Sequence, residues 1–254
     1  MELNFQIEGP DKAPVVVLSN SLGTTLTMWE PQMAALTAHY RVLRYDTHGH
    51  GETRKRGETD LARLGQDVIA LLDHLDIPTA HFCGISMGGL TGLWLACHQP
   101  QRMRSVTVIN SAARIGNEAG WRDRAQQVRA SGLSAIADSA PERWFSLPFR
   151  LASAETVADL CQQLVESSAQ GYAACCDALA TADMRDEIAD IQRPVLLIAG
   201  ADDPVTTVAD AQYMHQRIAG STMVVVKASH LSTIEAPDAV NAALLSFLGG
   251  QNAG

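Results

Sequence analysis

In the stretch AHFCGISMGGL (residues 80–90), an apolar strand gives way to a helix, and Ser86 stands between Gly84 and Gly88 at the change. A sharp strand-to-helix turn leaves no room for side chains beside the serine, so glycines on both sides let its hydroxyl stand clear of the sheet edge. The following helix, about Met87 to His98, points its free N–H groups toward the same place. Ordinary glycine turns also produce this pattern, so the rest of the chain has to decide between a nucleophilic serine and a plain turn.

Strand-like and helix-like patterns alternate on both sides of this turn. Strands are predicted at residues 3–8, 15–18, 41–45, 80–84, 105–109, 194–199 and 222–226, the first of them an edge strand. Helices are predicted between them at residues 31–38, 61–75, 87–98, 208–218 and 236–248. This alternation is typical of an α/β fold with a mostly parallel central sheet and helices on both faces, whose ligand sites lie beyond the carboxyl ends of the strands.

The alternation stops between residues 116 and 191, where the sequence has helical periodicity and no Val/Ile-rich run. We therefore predict an α/β core domain formed by residues 1–115 and 192–254, with residues 116–191 inserted as a helical cap, or lid. Residues 249–254 follow the last helical pattern, and we expect them to be frayed.

Composition places the chain among globular proteins. Its 254 residues suffice for a large core, and 46% hydrophobic with 19% charged residues excludes a disordered chain. No apolar run approaches the roughly 20 residues of a membrane span, and Met1 leads directly into an alternating strand rather than a signal peptide. We expect a soluble, cytoplasmic protein that does not bind membranes.

The charge balance argues against nucleic acid as a partner. The formal net charge is −9, and the one basic cluster, Arg54-Lys55-Arg56, is too short to neutralise a phosphate backbone. We interpret this cluster as a solvated loop. The cysteines lack the Cys-x-x-Cys spacing, so we expect reduced and mostly buried thiols at positions 83, 97, 161, 175 and 176.

A serine nucleophile needs a histidine to take its proton and an acid to orient that histidine. Asp202 and Asp203 follow the strand at 194–199, and His230 follows the strand at 222–226. Parallel strands end at the same edge of a sheet, so these loops can meet Ser86 although 117 positions separate residues 86 and 203. We predict His230 as the base and Asp203 as the acid. Asp202 is the alternative acid, although it also suits a cap for the next helix.

The reaction also needs hydrogen-bond donors for the negative oxygen that forms on the substrate. The N–H of Met87, directly after the serine, is the first predicted donor of this oxyanion hole. For the second we choose the N–H of Leu22 in the loop SNSLG (residues 19–23), where Gly23 gives the backbone its freedom. A plain glycine-containing turn is the alternative for this loop.

The sequence predicts no cofactor and no metal. The triplet Gly49-His50-Gly51 begins a dinucleotide-like fingerprint, but Arg54 stands where its third glycine belongs. His48 and His50 lie on a glycine turn without further spaced ligands, so we interpret both as structural.

Several segments together resemble the α/β-hydrolase family and, within it, the enol-lactonases of aromatic-compound degradation. The resemblance spans nearly the whole chain and rests on LSNSLGT (18–24), RVLRYD (41–46), HFCG (81–84), NSAARIG (110–116) and Trp144 within ERWF (142–145). It implies an α/β-hydrolase fold and a small anionic substrate, a five-membered enol-lactone bearing an acetate arm, which water opens to 3-oxoadipate.

The resemblance also indicates where the substrate would be held. Trp144 is expected to pack on the lactone ring, or else to be an ordinary core aromatic. Arg114, Arg143 and Arg150 are possible partners of the substrate carboxylate. Other functions on the same fold stay open at this point: a general carboxylesterase, a hydrolase of carbon–carbon bonds, or a receptor that binds a small ligand without turning it over.

Overall fold

One central sheet runs through the part of the chain that this computed structural model describes, residues 2–53 and 57–251. Its spatial order is β1-β3-β2-β4-β5-β6-β7. The strands are β1 (Phe5–Glu8), β2 (Val15–Ser19), β3 (Arg41–Tyr45), β4 (Ala80–Ile85), β5 (Met103–Ile109), β6 (Val195–Gly200) and β7 (Thr222–Val226). Only β1 is antiparallel to its neighbour β3, and the other five pairings are parallel.

Burial explains which sequences form which strands. The continuous apolar runs of β2, β4 and β6 are buried along their whole length because helices cover both faces of the sheet. The first strand, β1, alternates half-buried and exposed residues, as an edge strand does. Since β2, β4, β5, β6 and β7 are mutually parallel, their carboxyl ends open at one edge, and this edge carries the candidate site.

Two groups of helices accompany the sheet. Those that pack around it are α1 (Glu30–Thr37), α2 (Leu61–His74) and α3 (Met87–His98). Between β5 and β6 the chain forms α4 (Glu118–Ser131), α5 (Ser134–Trp144), α6 (Leu147–Ala152), α7 (Ala154–Glu166) and α8 (Ala169–Thr181). The sheet group is then completed by α9 (Val208–Arg217), α10 (Ser232–Glu235) and α11 (Pro237–Gln251).

The stretch that holds α4–α8 leaves the sheet and returns to it at neighbouring points. Met184 N donates to Ala113 O over 2.8 Å, which joins the chain just before α4 to the chain just after α8. Because β5 pairs directly with β6, the helices are added at the sheet edge without interrupting the sheet. The predicted division into a core and a cap at residues 116 and 191 stays a prediction.

The predicted α/β fold with a mostly parallel sheet is confirmed. One expectation at the carboxyl end is wrong: α11 continues to Gln251, so residues 249–251 are helical and not frayed. Burial of Leu244 and Leu248 explains this, because both side chains hold the last turns of α11 against the core. Residues 252–254 and the basic cluster Arg54-Lys55-Arg56 lie outside the described residues.

Two further properties concern the molecule as a whole. No helix within residues 2–53 and 57–251 is both long and apolar enough to cross a membrane. The five cysteines are free thiols, as predicted, and Cys83, Cys175 and Cys176 are buried.

Candidate active site

Ser86 occupies a strained turn between β4 and α3. Its backbone has φ 55° and ψ −116°, a conformation that non-glycine residues rarely adopt and that clusters at functional sites. Hydrogen bonds hold it there, because Ser86 N donates to Ile109 O over 2.9 Å and Ser86 O accepts from Ser111 Oγ over 2.7 Å. The neighbouring glycines are needed for space: a Cβ on Gly84 or Gly88 would stand 2.1 or 2.3 Å from a backbone oxygen.

The three residues predicted for the catalytic chemistry lie in hydrogen-bond contact. His230 Nε2 is 3.0 Å from Ser86 Oγ, and His230 Nδ1 is 2.8 Å from Asp203 Oδ2. A carboxylate only accepts hydrogen bonds, so Nδ1 carries the imidazole proton and Nε2 is free to accept from the serine hydroxyl. Ser86, Asp203 and His230 are 6%, 6% and 3% exposed, which shields their contacts from water.

The carboxylate of Asp203 is surrounded by donors. Besides His230, it accepts from Asn110 Nδ2 and Thr206 Oγ1, each over 2.8 Å, and from the backbone N–H groups of Val205 and Thr206. Burial by itself would raise the pKa of Asp203. The hydrogen bond and charge of His230, together with the Asn110 and Val205 donors, outweigh burial and hold that pKa below its usual value.

Asp202, the alternative acid, is exposed and its side chain makes no contact with His230 among the described hydrogen bonds. Its suggested role as a helix cap is wrong. The N-cap of α9 is instead Thr207, whose side chain and backbone pair reciprocally with Asp210 in a capping box. The two acids of the loop therefore differ because the chain turns Asp203 inward and Asp202 outward.

Sequence reasoning missed the part that Asn110 plays in the site. This residue follows β5 in a left-handed conformation, φ 42°, which asparagine tolerates better than most residues. Its amide donates to Asp203 Oδ2 and to Ser229 O, and its oxygen accepts from Ser232 Oγ, so it ties the acid loop to the histidine loop. A polar Asn-Ser pair directly after a buried strand was the available signal.

The loop predicted to supply an oxyanion donor is a tight turn. Thr24 N donates to Ser21 O over 3.2 Å, and Gly23 has φ +82°, the geometry of a type II turn with glycine in its third position. Leu22 lines the cavity beside Ser86, and its N–H has no hydrogen-bond partner within residues 2–53 and 57–251. Met87 is the first residue of α3, where helix N–H groups lack partners within the helix.

Asn20 joins this turn to the serine turn. Its backbone oxygen accepts from Gly88 N over 3.1 Å. Its side chain is fixed at both ends, because Nδ2 donates to Tyr45 O and Oδ1 accepts from Trp29 Nε1. The two predicted donor segments are therefore bonded to each other, although the assignment of Leu22 and Met87 as donors stays a prediction.

A cavity of about 330 Å³ opens over Ser86 and His230. Helices α4, α5 and α8 contribute much of its wall, and Trp144 and Arg143 line it, as expected for substrate-binding residues. Arg114 and Arg150 do not line it. Arg114 is turned toward Asp183 at 3.3 Å, and Arg150 toward Glu142 at 3.6 Å, so local acidic partners direct both guanidinium groups away.

A second arginine that the sequence did not single out, Arg124, lines the cavity together with Arg143. Partial burial and then the positive charge of Arg124 hold the pKa of Arg143 below its usual value. Arg124 lies over the ring of Trp121, 4.9 Å from its centre. Burial raises the pKa of Tyr172 to about 12, and the nearby positive charges of Arg124 and Arg143 oppose that rise only in part. Two neighbouring cations make this wall a favourable place for an anion.

Glu235 connects the histidine loop to the helices over the cavity. Its Oε2 accepts from Ser229 N at 3.0 Å and from Ser146 N at 3.3 Å, and its Oε1 accepts from Ser146 Oγ. A second connection runs beside it, because Leu231 N donates to Trp144 O over 3.0 Å. Both neighbours of His230 in the chain are thus bonded to this contact.

His48 and His50 both contact backbone groups of neighbouring loops. His48 Nε2 lies 3.1 Å from Gly57 O, and His50 contacts the turn at Gly23.

A family model for the α/β-hydrolase fold matches residues 14–237. The chain therefore belongs to the α/β-hydrolase family. Among its relatives, 3-oxoadipate enol-lactonase 2 of Acinetobacter baylyi is 51% identical over 243 residues, which cover 95% of this chain and 91% of that protein. 3-Oxoadipate enol-lactonase 1 of the same organism is 50% identical over 93% of this chain and 89% of its own length.

A solved structure agrees with these relatives. The crystal structure of the enol-lactonase from Burkholderia xenovorans superposes with a TM-score of 0.95 at 42% identity, covering 97% of this chain and 96% of that one. The predicted resemblance to enol-lactonases is confirmed by these identities.

Proposed function

We propose that this protein is a cytoplasmic serine hydrolase that opens 3-oxoadipate enol-lactone with water to give 3-oxoadipate, a step of aromatic-compound breakdown by the β-ketoadipate route. The observation that carries the proposal is the chain of contacts from Ser86 Oγ through His230 to Asp203, at 3.0 and 2.8 Å, beside a cavity that holds two arginines. The names of the relatives at 51% and 50% identity support the choice of substrate.

In the first half of the reaction, Ser86 Oγ attacks the lactone carbonyl while His230 Nε2 takes the hydroxyl proton. The N–H groups of Leu22 and Met87 stabilise the oxyanion of the tetrahedral intermediate. Collapse of this intermediate breaks the ring C–O bond and expels an enolate, which is a better leaving group than an alkoxide. The His230 imidazolium gives its proton to the departing enolate, and the resulting enol tautomerises to the ketone. The neutral imidazole is thereby restored, and the acyl group stays on Ser86.

In the second half, His230 removes a proton from water as the water attacks the acyl-enzyme. The second tetrahedral intermediate collapses, its C–Oγ bond breaks, and Ser86 recovers its proton from the imidazolium. Asp203 stabilises the imidazolium in both halves, and its own pKa is held low enough for it to remain a carboxylate. The product leaves with a second carboxylate in place of the lactone carbonyl.

The acetate arm of the substrate is bound by Arg124 and Arg143. Neighbouring positive charges are unfavourable in a partly closed cavity, and a carboxylate between them relieves the repulsion while it gains charged hydrogen bonds. Trp144 and Trp121 line the same cavity and offer apolar faces to the lactone ring. In this scheme helices α4–α8 act as the cap that recognises the substrate.

Loss of the enol-lactone absorbance with purified protein tests the reaction. Wild-type protein is expected to turn the lactone over, and Ser86→Ala is expected to lower kcat by about 10⁴-fold or more while it still binds the product. Retained activity in Ser86→Ala would contradict the mechanism. Equal turnover of plain esters and lactone by the wild type would favour a general esterase, and binding without any turnover would favour a receptor.

The carboxylate site is tested by Arg124→Met and Arg143→Met. Each is expected to raise KM for the carboxylated lactone by about 10- to 100-fold, the loss of one charge-assisted hydrogen bond, and to leave kcat/KM for the neutral methyl ester nearly unchanged. Arg114→Met is the matched control, because its guanidinium pairs with Asp183 outside the cavity. Parallel losses on the acid and on its methyl ester would count against an anion site.

A further inference from the structure

His50 is a buried histidine that the mechanism above does not use. It is 1% exposed and lies between two loops at the active edge of the sheet. Gly23 N donates to His50 Nε2 over 3.0 Å, and His50 Nδ1 is 3.0 Å from His48 O. The histidine therefore reaches from its own glycine turn to the turn that contains Leu22.

Its partners determine its protonation state. A backbone N–H can only donate, so Nε2 must be the unprotonated nitrogen, and a backbone carbonyl can only accept, so Nδ1 carries the proton. Burial lowers the pKa of His50, which the hydrogen bond to His48 O opposes only in part. The imidazole is thus a neutral acceptor for Gly23.

Three successive N–H groups of the turn have different uses. Thr24 N closes the turn onto Ser21 O, and Gly23 N is taken by His50. Leu22 N is left without a partner in the described parts of the chain, and Leu22 lines the cavity with Ser86. Without His50, the buried N–H of Gly23 would lack a partner, and the turn would gain by reorienting its peptide groups.

We propose that His50 is a positioning residue for the oxyanion hole: by accepting from Gly23 N–H, it holds the neighbouring Leu22 N–H toward the acyl oxygen at Ser86. This role rests on the proposed function, since it needs a reaction that develops an oxyanion. His50 does not touch the substrate in this scheme and acts only through the turn.

The loop that carries His50 is itself held from behind by α8. Gly49 and Gly171 approach so closely that a Cβ on Gly49 would stand 2.4 Å from Gly171 Cα. In addition, Cys175 Sγ donates to His48 O over 3.5 Å, the same oxygen that faces His50 Nδ1. The imidazole is thus placed by the helix on one side and transmits that placement to the turn on the other.

Two substitutions separate the contacts of His50. In His50→Asn the shorter side chain can keep the contact with His48 O but cannot reach Gly23. In His50→Gln an amide oxygen can approach the former position of Nε2 and accept from Gly23 N. We expect His50→Asn to lower kcat about 10- to 100-fold, less than complete loss of an oxyanion donor, with KM within about twofold. We expect His50→Gln to stay within about fivefold of wild type.

A second readout reports the oxyanion hole itself. A boronic acid that forms a tetrahedral adduct with Ser86 is expected to lose affinity in His50→Asn by the same factor as kcat, whereas 4-oxopentanoate, a carboxylate that is not attacked, binds as in wild type. His215→Asn is the matched control: this exposed histidine of α9 does not line the cavity, and among the described residues its ring bonds to Ser221. Circular dichroism and thermal melting confirm the fold of each variant.

Three outcomes would overturn the proposal. One is a folded His50→Asn with wild-type kcat and boronate affinity; the others are an equal fall in kcat in His50→Asn and His50→Gln, or a change in KM without a change in kcat. If His50→Asn does not fold, His50→Gln decides, and a folded His50→Gln with more than tenfold lower kcat contradicts the role. A wild type that hydrolyses plain esters but not the lactone would refute the proposed substrate. The His50 comparison could then still be made with those esters and the boronic acid.

Discussion

At the scale of single residues, Asp203 shows how donors can keep a buried acid ionised. Burial favours its neutral form, but five hydrogen bonds, from Asn110, Val205, Thr206 and His230, favour the carboxylate more strongly. The net lowering of its pKa links the protonation of this residue to the stability of the fold.

This linkage gives a prediction for Asp203→Asn. A lowered native pKa stabilises the fold above the unfolded-state pKa, about 3.9 for aspartate, and this stability is lost as pH falls through the lower native pKa. The difference in free energy of unfolding between wild type and Asp203→Asn is therefore expected to be constant near neutral pH and to shrink below about pH 4. Urea titrations from pH 7 to pH 2.5 measure it.

The same variant is expected to lower kcat by about 10³- to 10⁴-fold, because His230 loses the acceptor that fixes its tautomer. A stability difference that does not change with pH would show that Asp203 titrates alike in the folded and unfolded chain.

At this scale, much of the candidate site could be predicted from residue types and their spacing. The glycine at the end of the strand before Asp203, and the single imidazole after the last strand, were enough to predict Asp203 and His230. In the structure His230 lies within hydrogen-bond distance of both Ser86 and Asp203. The sequence did not indicate in the same way which arginines line the cavity. Nothing in the local sequence marked Arg124 as a cavity residue, because its place on the cavity wall depends on the packing of α4 against α8.

At the scale of elements, a contact between α5, α6 and α10 joins the cavity wall, to which α5 belongs, to the histidine loop. Ser146 is the N-cap of α6 and Glu235 is the last residue of α10. The carboxylate of Glu235 bonds both to Ser146 and to Ser229, next to His230. No sequence pattern indicated this contact, because Ser146 and Glu235 are 89 positions apart and β6 lies between them in the sequence.

Comparison of Glu235→Gln with Ser146→Ala separates the two arms of this contact. Ser146→Ala removes the hydrogen bond from the Ser146 hydroxyl to Glu235 and leaves the bond from Ser229 N to Glu235 in place. We therefore expect a higher KM with kcat within about twofold of wild type. Glu235→Gln weakens the acceptor of Ser229 N as well, and we expect kcat to fall about tenfold, the cost of losing about 1.4 kcal/mol of positioning. Steady-state kinetics on the lactone measures both.

Ser139→Ala is the control for this pair. Ser139 is a serine of α5 whose hydroxyl, among the described residues, bonds to carbonyl oxygens of its own helix. Its loss is expected to leave both constants unchanged. Identical kinetic changes in Glu235→Gln and Ser146→Ala would mean that the arm toward Ser229 carries no separate role.

At the scale of the whole molecule, an acidic protein presents a cationic wall to its substrate. The chain has a formal net charge of −9, yet two arginines line the cavity over Ser86. Net charge therefore argues against nucleic acid as a partner but not against a small anion, because a partly buried charge responds to its neighbours more than to distant surface charges.

The tryptophans allow a test of whether core and cap unfold together. Trp29 and Trp94 lie in the part that packs on the sheet, and Trp121 and Trp144 lie in α4 and α5. We expect one cooperative transition, since α8 packs on the loop at Gly49 and α5 is bonded to Leu231. In the double variant Trp29→Phe, Trp94→Phe, fluorescence reports the cap, and its urea midpoint is expected to match that of far-UV circular dichroism.

In the reciprocal double variant, Trp121→Phe with Trp144→Phe, fluorescence reports the core. Its urea midpoint is also expected to match that of far-UV circular dichroism. A fluorescence transition that precedes the loss of circular dichroism only in the cap-reporting variant would show that the helices between β5 and β6 unfold as an independent unit.

The hydrogen bond from Met184 to Ala113 has a consequence for how such an enzyme can diversify. The chain leaves the sheet and returns to it at adjacent points, so the loop of helices between them can be exchanged for another of different length while β5 keeps its register on β6. In the proposed scheme, the residues that break the lactone bond and the arginines that bind its carboxylate are therefore encoded by separate stretches of the gene. Recombination at these two points would give a new substrate range to an unchanged nucleophile in a single event.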